Sequence, residues 1–84
     1  RTIRIWNLNN YQLNRTINSG HTGFIFTLKV LNHNNSLLAS GSSDFTIRIW
    51  DWLNGALLNI LVGHTGSILT LESLPNNMIA SGSA

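Results

Sequence analysis

Short segments of this 84-residue chain occur twice at nearly constant spacing. Residues 20–23, Gly-His-Thr-Gly, recur unchanged at 63–66, and residues 46–50, Thr-Ile-Arg-Ile-Trp, are already present at 2–6. The Ala-Ser-Gly-Ser of residues 39–42 returns at 80–83. Self-similarity at a period of about 20 to 50 residues is typical of stacked structural repeats, each of which buries its apolar face against a neighbour. The chain is therefore expected to hold about two copies of one repeating unit.

The composition indicates a folded segment and excludes several functional classes. The chain is 43% hydrophobic and 10% charged, with one proline, which is unlike a disordered tail. Its apolar runs are much shorter than the roughly 20 residues of a membrane span. The net charge of +2 comes from scattered side chains instead of the basic patch of a nucleic-acid binder. We therefore expect neither membrane nor nucleic acid as a partner.

The chain has no cysteine, and this absence bears on its compartment and on metal binding. Disulfides and thiolate zinc sites are excluded, which fits a reducing compartment. We expect an intracellular, cytoplasmic protein, with the nucleus as the alternative.

Within each repeat, the local pattern predicts β-strands joined by tight turns. Apolar residues alternate or run in short β-branched and aromatic bursts bounded by Gly, Asn, Asp and Pro. In the complete unit the predicted strands cover residues 24–30, 37–42, 46–50 and 56–62. The small Ala39 and Gly41 in the second strand would let a neighbouring sheet approach closely. The predicted fold class is all-β, without helices.

Together these features resemble the WD40 family, whose repeats are four-stranded blades of a β-propeller. The resemblance rests on the period of about 43 residues, on Gly-His at 20–21 and 63–64, and on the motifs at 38–44 and 46–51, the latter ending in Trp-Asp. At the first Trp-Asp position stands Trp6-Asn7, a departure from the pattern.

The resemblance implies a fragment of a WD40-type β-propeller with one complete four-stranded antiparallel blade between two half-blades. Residues 1–19 would be the last two strands of a preceding blade. Residues 20–62 would be the complete blade, and residues 63–84 the first two strands of a following one.

One set of polar residues has the composition of a hydrolase triad, namely His21, Ser40 and Asp44. The resemblance implies instead a structural hydrogen-bond network, in which the Trp50 indole donates to Ser40, Ser40 to His21, and His21 to Asp44. Such a network satisfies buried polar groups that would otherwise be costly. Ser42 is an alternative to Ser40 in this role. Because the sequence has no Gly-x-Ser-x-Gly elbow, we favour the structural interpretation and predict no catalytic residue.

The second Gly-His places His64 in the same role with Ser81, although the Asp and Trp positions of that repeat are not in the sequence. The three histidines at 21, 33 and 64 lie too far apart for a local pair of metal ligands. His33 is expected to be a solvated turn residue. We predict no metal and no other cofactor.

Functionally, the resemblance implies a protein-protein interaction scaffold without catalytic activity of its own. A second hypothesis is a non-catalytic adaptor or sensor segment of a larger multidomain enzyme, such as a ubiquitin-ligase adaptor or an NTPase-linked propeller. A catalytic or nucleic-acid-binding propeller ranks third. The expected partners are other proteins or peptides, and ring closure requires the rest of the propeller or further copies of the chain. The candidate contact residues are Phe24, Ser43, Phe45 and Trp52. For Trp52, core or rim packing is favoured over ligand binding, and the others have an ordinary turn role as the alternative.

Overall fold

The computed structural model describes residues 1–32 and 36–84, and these residues form β-strands joined by turns. The all-β prediction is confirmed. His33, expected to be a solvated turn residue, lies outside the described residues. The strands are β1 (Thr2–Asn7), β2 (Gln12–Asn18), β3 (Ile25–Asn32), β4 (Leu37–Ser42), β5 (Ile47–Asp51), β6 (Ala56–Leu61), β7 (Ile68–Leu74) and β8 (Met78–Ser83).

The strands form three antiparallel sheets, each following chain order. We call β1–β2 the N-sheet, β3-β4-β5-β6 the central sheet, and β7–β8 the C-sheet. The central strands match the predicted ones to within two residues at each end. Thr46 lies before β5 instead of in it, because its backbone N–H donates to the Asp44 carboxylate. In the described part of the chain, no helix is long and apolar enough to cross a membrane.

One apolar core joins the N-sheet to the central sheet. Ile3 and Ile17 from the N-sheet pack with Leu38 and Trp50, which face each other across β4 and β5. All four side chains are at most 6% exposed. Burial of large apolar side chains stabilises a fold by roughly 1.5–3 kcal/mol each, so this cluster holds the two sheets together.

A second core joins the opposite face of the central sheet to the C-sheet. It contains Ala39, Ile47, Ile68 and Leu71. A Cβ atom added to Gly41 would lie 2.6 Å from Cγ2 of Ile68, so the backbone of β4 can approach the C-sheet only without a side chain there. The predicted close approach of a neighbouring sheet at Gly41 is confirmed.

Part of the central sheet remains uncovered. The sequence pattern of β3 predicts Ile25, Thr27 and Lys29 on one face, and all three are half-buried. The prediction is wrong for Ile25, because a bulge between Ile25 and Thr27 turns it towards the core shared with the N-sheet. Leu28 lies opposite Ser40 on the face of the N-sheet but is 48% exposed, and Phe26 is 51% exposed. The N-sheet therefore covers the central sheet only in part.

Candidate functional site

The structure brings the four residues of the predicted network into direct contact. His21 lies just before β3, Ser40 in the middle of β4, Asp44 in the β4–β5 turn and Trp50 in β5. The Ser40 Oγ is 2.8 Å from His21 Nε2 and 2.9 Å from Trp50 Nε1. The His21 Nδ1 is 2.9 Å from Asp44 Oδ2. The chain therefore forms a continuous path of hydrogen bonds from Trp50 to Asp44.

The chemistry of the groups assigns the direction of each hydrogen bond. An ionised carboxylate only accepts, so His21 Nδ1 carries the proton that is donated to Asp44. The unprotonated Nε2 then accepts from the Ser40 hydroxyl, whose oxygen accepts from the Trp50 indole N–H. Ser40 is fully buried, and the His21 side chain is 0% exposed. Each buried polar atom along this path has a partner.

Asp44 also organises the turns on either side of it. Its carboxylate accepts the backbone N–H of Thr22 at 3.0 Å, the backbone N–H of Thr46 at 2.9 Å and the Thr46 hydroxyl at 2.6 Å. Burial acts to raise the pKa of Asp44, but the hydrogen bonds from Thr46, His21 and Thr22 outweigh it and hold the pKa well below its usual range. Asp44 is therefore a charged anchor that joins the turn before β3 to the turn before β5.

The Ser-His-Asp connectivity is that of a hydrolase triad, but its surroundings differ from those of an active site. A catalytic serine must reach a substrate carbonyl, whereas Ser40 is fully buried and its oxygen is occupied by the Trp50 indole. Ser42 does not take the place of Ser40, because its Oγ accepts the backbone N–H of Asp44 at 3.1 Å. A purely structural role of the network stays a prediction that this geometry favours.

A partial copy of the network is present in the C-sheet. His64 Nε2 lies 2.6 Å from Ser81 Oγ, as His21 lies beside Ser40. Both residues are half-buried.

Trp6, in the N-sheet, stands at the position of its motif that Trp50 occupies in the central sheet. It is 52% exposed, against 3% for Trp50. The same motif thus has two different environments in one chain.

Two residues of the site were not predicted from the sequence. Thr46 contributes two hydrogen bonds to Asp44, and its place directly after the Asp-containing turn was a usable signal. Ser19 is fully buried, where its hydroxyl donates to the Arg1 carbonyl and its oxygen accepts the His21 backbone N–H at 3.2 Å. The repeat offers no signal for Ser19, because Val62 stands at the equivalent position.

Three of the candidate contact residues lie together on the turns before β3 and β5. Phe24 donates its backbone N–H to Ser43 Oγ at 2.8 Å, and Ser43 donates its backbone N–H to the Phe24 carbonyl at 2.9 Å. Phe24 and Phe45 are 66% and 45% exposed. Phe45 adopts a φ of 75°, a conformation that bulky residues rarely take. We call this surface, with Phe26, the turn face.

The fourth candidate, Trp52, lies elsewhere. It follows β5 at the opposite end of the strands, where its backbone N–H donates to the Ser36 carbonyl at 2.9 Å. Its half-buried ring packs against the core between the N-sheet and the central sheet. This placement favours the packing alternative for Trp52. Among the described residues, no group of three or more His, Cys, Asp or Glu side chains could hold a metal ion.

Comparison with known proteins bears directly on this arrangement. The WD40 family profile, described as WD domain, G-beta repeat, matches residues 12–51. The chain belongs to the WD40-repeat family. The matched WD40 repeat contains β2 of the N-sheet and β3 to β5 of the central sheet, so one sequence repeat spans two structural sheets. Each repeat of this kind therefore ties neighbouring sheets together.

The similar WD40 proteins have varied names. The chain is 57% identical over 37 residues to nuclear distribution protein PAC1 of Ajellomyces capsulatus, a match covering 44% of the chain and 8% of that protein. It is 44% identical over 64 residues to pre-mRNA-splicing factor PRP46 of Eremothecium gossypii, covering 76% of the chain and 14% of that protein. With ubiquitin homeostasis protein lub1 of Schizosaccharomyces pombe, the identity is 38% over 65 residues, covering 77% of the chain and 9% of lub1.

The chain thus spans only a small part of each relative's length. What the WD40 family shares is more general than these names. WD40 repeats generally mediate protein-protein interaction and are typically non-catalytic.

Proposed function

We propose that this chain is part of a β-propeller scaffold that binds another protein or a peptide through the turn face. In this proposal the N-sheet and C-sheet are parts of the blades on either side of the central blade. The observation that carries the proposal is the pair of hydrogen-bonded turns that expose the rings of Phe24 and Phe45.

The turn face has the properties of a preformed recognition surface. The rings of Phe24 and Phe26 lie 6.4 Å apart, and the Arg1 guanidinium lies 6.0 Å from the Phe24 ring. Aromatic residues and arginine are enriched at the centres of protein interfaces. The two hydrogen bonds between Phe24 and Ser43, one of which the Ser43 hydroxyl accepts, order both turns before any partner arrives. Such preorganisation lowers the entropic cost of binding.

The buried network supports the non-catalytic part of the proposal. Asp44 reaches both turns of the turn face, and it is held in turn by His21 and Thr46. The network therefore serves as the internal support of the binding surface. A reaction at Ser40 would require opening the core around Trp50.

The experiment is selection of binding peptides from a displayed random library against the 84-residue chain, followed by measurement of Kd by fluorescence polarisation. We expect Phe45→Ala to weaken binding of the selected peptides by about 30-fold, since a central interface residue contributes about 2 kcal/mol or more. Tyr11→Ala is the matched control, because Tyr11 is an 80% exposed aromatic residue in the β1–β2 turn.

The proposal is wrong if the two substitutions have equal effects, or if the selected peptides bind the Phe45→Ala variant as well as the parent. Circular dichroism of both variants distinguishes a lost contact from a lost fold.

A second candidate function is favoured by one similar protein, ubiquitin homeostasis protein lub1. The chain would then be a non-catalytic adaptor segment of a larger protein in ubiquitin-dependent processes. Titration of ¹⁵N-labelled ubiquitin with the chain tests this idea directly. Chemical-shift changes that disappear with Phe45→Ala would support the adaptor function at the turn face, and an unchanged spectrum would refute direct recognition of ubiquitin.

A further inference from the structure

The turn between β5 and β6 contains the one Asn-Gly pair of the sequence, Asn54-Gly55. Gly55 adopts a φ of 77°, a left-handed conformation that glycine takes without strain, so the hairpin itself favours glycine there. The same glycine leaves its backbone nitrogen unhindered, because it has no Cβ atom. Asn54 is exposed to water. The turn therefore combines an asparagine amide, an unshielded neighbouring nitrogen and access for water.

These groups are the reactants of asparagine deamidation. The backbone nitrogen of the following residue loses its proton and attacks Cγ of the asparagine, which closes a succinimide ring. The bond from Cγ to the side-chain nitrogen breaks, and that nitrogen takes up a proton and leaves as ammonia. Water then opens the ring at either carbonyl and gives aspartate or isoaspartate. Water is the only co-reactant, and the net change is hydrolysis of one amide to a carboxylate and ammonia.

In the folded chain, Asp51 holds both reacting groups. Its Oδ2 accepts a hydrogen bond from the Asn54 side-chain amide at 3.0 Å, and its backbone carbonyl accepts the Gly55 N–H at 2.8 Å. Its Oδ1 accepts the backbone N–H groups of Leu53 and Asn54 at 3.1 and 3.3 Å. The proton that Gly55 must lose is thus engaged. The negative charge of Asp51 also disfavours the anionic nitrogen that must form beside it.

We propose that Asn54 is a site of spontaneous deamidation, and that Asp51 keeps it unmodified while the β5–β6 turn is closed. The reaction proceeds in molecules whose turn has opened locally, with the rest of the central sheet folded. Exposed turns are among the segments that open at the smallest cost in free energy. Asp51 is a positioning residue in this proposal, because it acts only through the groups that it holds.

The N-sheet contains the same turn without the glycine. Tyr11 donates its backbone N–H to the Asn7 carbonyl at 2.8 Å, the distance found in the β5–β6 turn. Asn10 stands at the position of Asn54, but the residue after it is Tyr11, whose side chain hinders attack by its backbone nitrogen. The Asn10-Tyr11 pair is therefore an internal reference for the reaction at Asn54.

Deamidation would change the charge of the β5–β6 turn and hinder its closure. Aspartate at residue 54 has no N–H to donate to Asp51 Oδ2, so two carboxylates would stand where a donor and an acceptor now lie 3.0 Å apart. The Arg15 guanidinium of the N-sheet lies at the same turn, where its Nη1 would be 3.0 Å from a Cβ added to Gly55. The modification therefore adds a negative charge where the N-sheet meets the central sheet.

The test follows deamidation of the 84-residue chain by mass spectrometry at mildly alkaline pH, with fragmentation to assign the added mass to single residues. In urea, we expect Asn54 to react faster than Asn10, because the unfolded chain leaves the following residue as the main difference between them. In the folded chain, the rate at Asn54 should be at least about 10-fold lower, the equivalent of one hydrogen bond to a charged group.

Substitutions at Asp51 separate protection by this side chain from protection by the fold as a whole. Asp51→Ala should raise the rate at Asn54 about 10-fold, because it removes the carboxylate that holds the amide. Asp51→Asn keeps an oxygen acceptor without the charge, so it should give an intermediate rate, and it carries the test if Asp51→Ala does not fold. Ser40→Ala is the matched control, because it weakens the core at Trp50 and leaves the turn untouched. While circular dichroism shows that Ser40→Ala is folded, its rate at Asn54 should equal that of the parent.

Equal rates at Asn54 in the folded and the urea-unfolded chain would overturn the proposal. The same holds for folded Asp51 variants that react no faster than the parent. Acceleration by Ser40→Ala as large as that by Asp51→Ala would place the reaction in the globally unfolded chain and overturn it too. Peptide binding at the turn face is a separate measurement, because the turn face lies at the opposite end of the strands from the β5–β6 turn.

Discussion

Removal of the Ser40 hydroxyl is the sharpest test of how the buried network acts. Ser40→Ala deletes one oxygen that serves two partners, the Trp50 indole N–H at 2.9 Å and the His21 imidazole at 2.8 Å. Both groups remain in the core, and an unsatisfied buried polar group costs about 1–3 kcal/mol. We therefore expect the free energy of unfolding to fall by about 2–4 kcal/mol. A protein of this length is stable by roughly 4–13 kcal/mol, so the loss is a large fraction.

The assay is urea unfolding followed by circular dichroism. With a urea dependence of about 1–3 kcal/mol per molar, the midpoint should fall by about 1–3 M. Ser81→Ala is the matched control. It removes the same hydroxyl from the same Ala-Ser-Gly-Ser motif, but Ser81 is half-buried and bonds only His64 among the described residues, so about 0.5–1.5 kcal/mol is expected.

A double-mutant cycle with Trp50→Phe separates the hydrogen bond from general packing effects. If the indole N–H and the Ser40 hydroxyl act together, the two substitutions should be non-additive by about 0.5 kcal/mol or more. Equal effects of Ser40→Ala and Ser81→Ala, or strict additivity in the cycle, would refute the reasoning.

Three further predictions concern the packing, charge and backbone of the central sheet. Gly41→Ala should lower the free energy of unfolding by about 1–3 kcal/mol, because the added carbon would collide with Ile68. Gly82→Ala is the control for thermal unfolding: its added carbon meets only Thr70 of its own sheet, so its loss of stability should be smaller. The pKa of Asp44 is lower in the folded chain than its unfolded value of about 3.9, so the stabilising contribution of Asp44 should be complete above about pH 5 and decline as pH falls. Asp44→Asn should remove that part of the pH dependence of the unfolding free energy, as measured by urea titrations. Phe45→Asn should raise the Tm by a few degrees, because asparagine tolerates the φ of 75° better than phenylalanine, and an unchanged or lower Tm would contradict backbone strain there.

The strands and the network residues were predictable because their signals are local and repeated. The alternation of apolar residues and the position of Asn-Gly and Ser-Asp turns determine the strand ends closely. The repeat provides a second observation of each motif. The histidine of Gly-His lies beside the serine of an Ala-Ser-Gly-Ser strand twice, as His21 beside Ser40 in β4 and as His64 beside Ser81 in β8.

Ser19 and Trp52 show where the local signals end. Ser19 is buried by its contacts with the Arg1 carbonyl and the His21 backbone, which depend on how the N-sheet meets the central sheet. Trp52 was a candidate contact with packing favoured, and its ring packs beside the core between the N-sheet and the central sheet. Contacts between sheets depend on tertiary placement, and neither residue has a counterpart in the second repeat that would reveal it.

The two copies of Thr-Ile-Arg-Ile-Trp separate what a motif specifies from what its neighbours supply. Both copies form a strand, and in both the second residue of the motif, Ile3 or Ile47, is buried. The final Trp is buried only in β5, where β4 supplies Ser40 as acceptor and Leu38 as packing partner. Trp6 has the same donor without that strand beside it. The motif thus determines the local strand and the capacity for the network, while the adjacent strand determines whether the network closes. A strand that pairs with β1 should therefore bury Trp6 and shift its fluorescence to shorter wavelength, and pairing without that shift would refute this explanation of the exposure of Trp6.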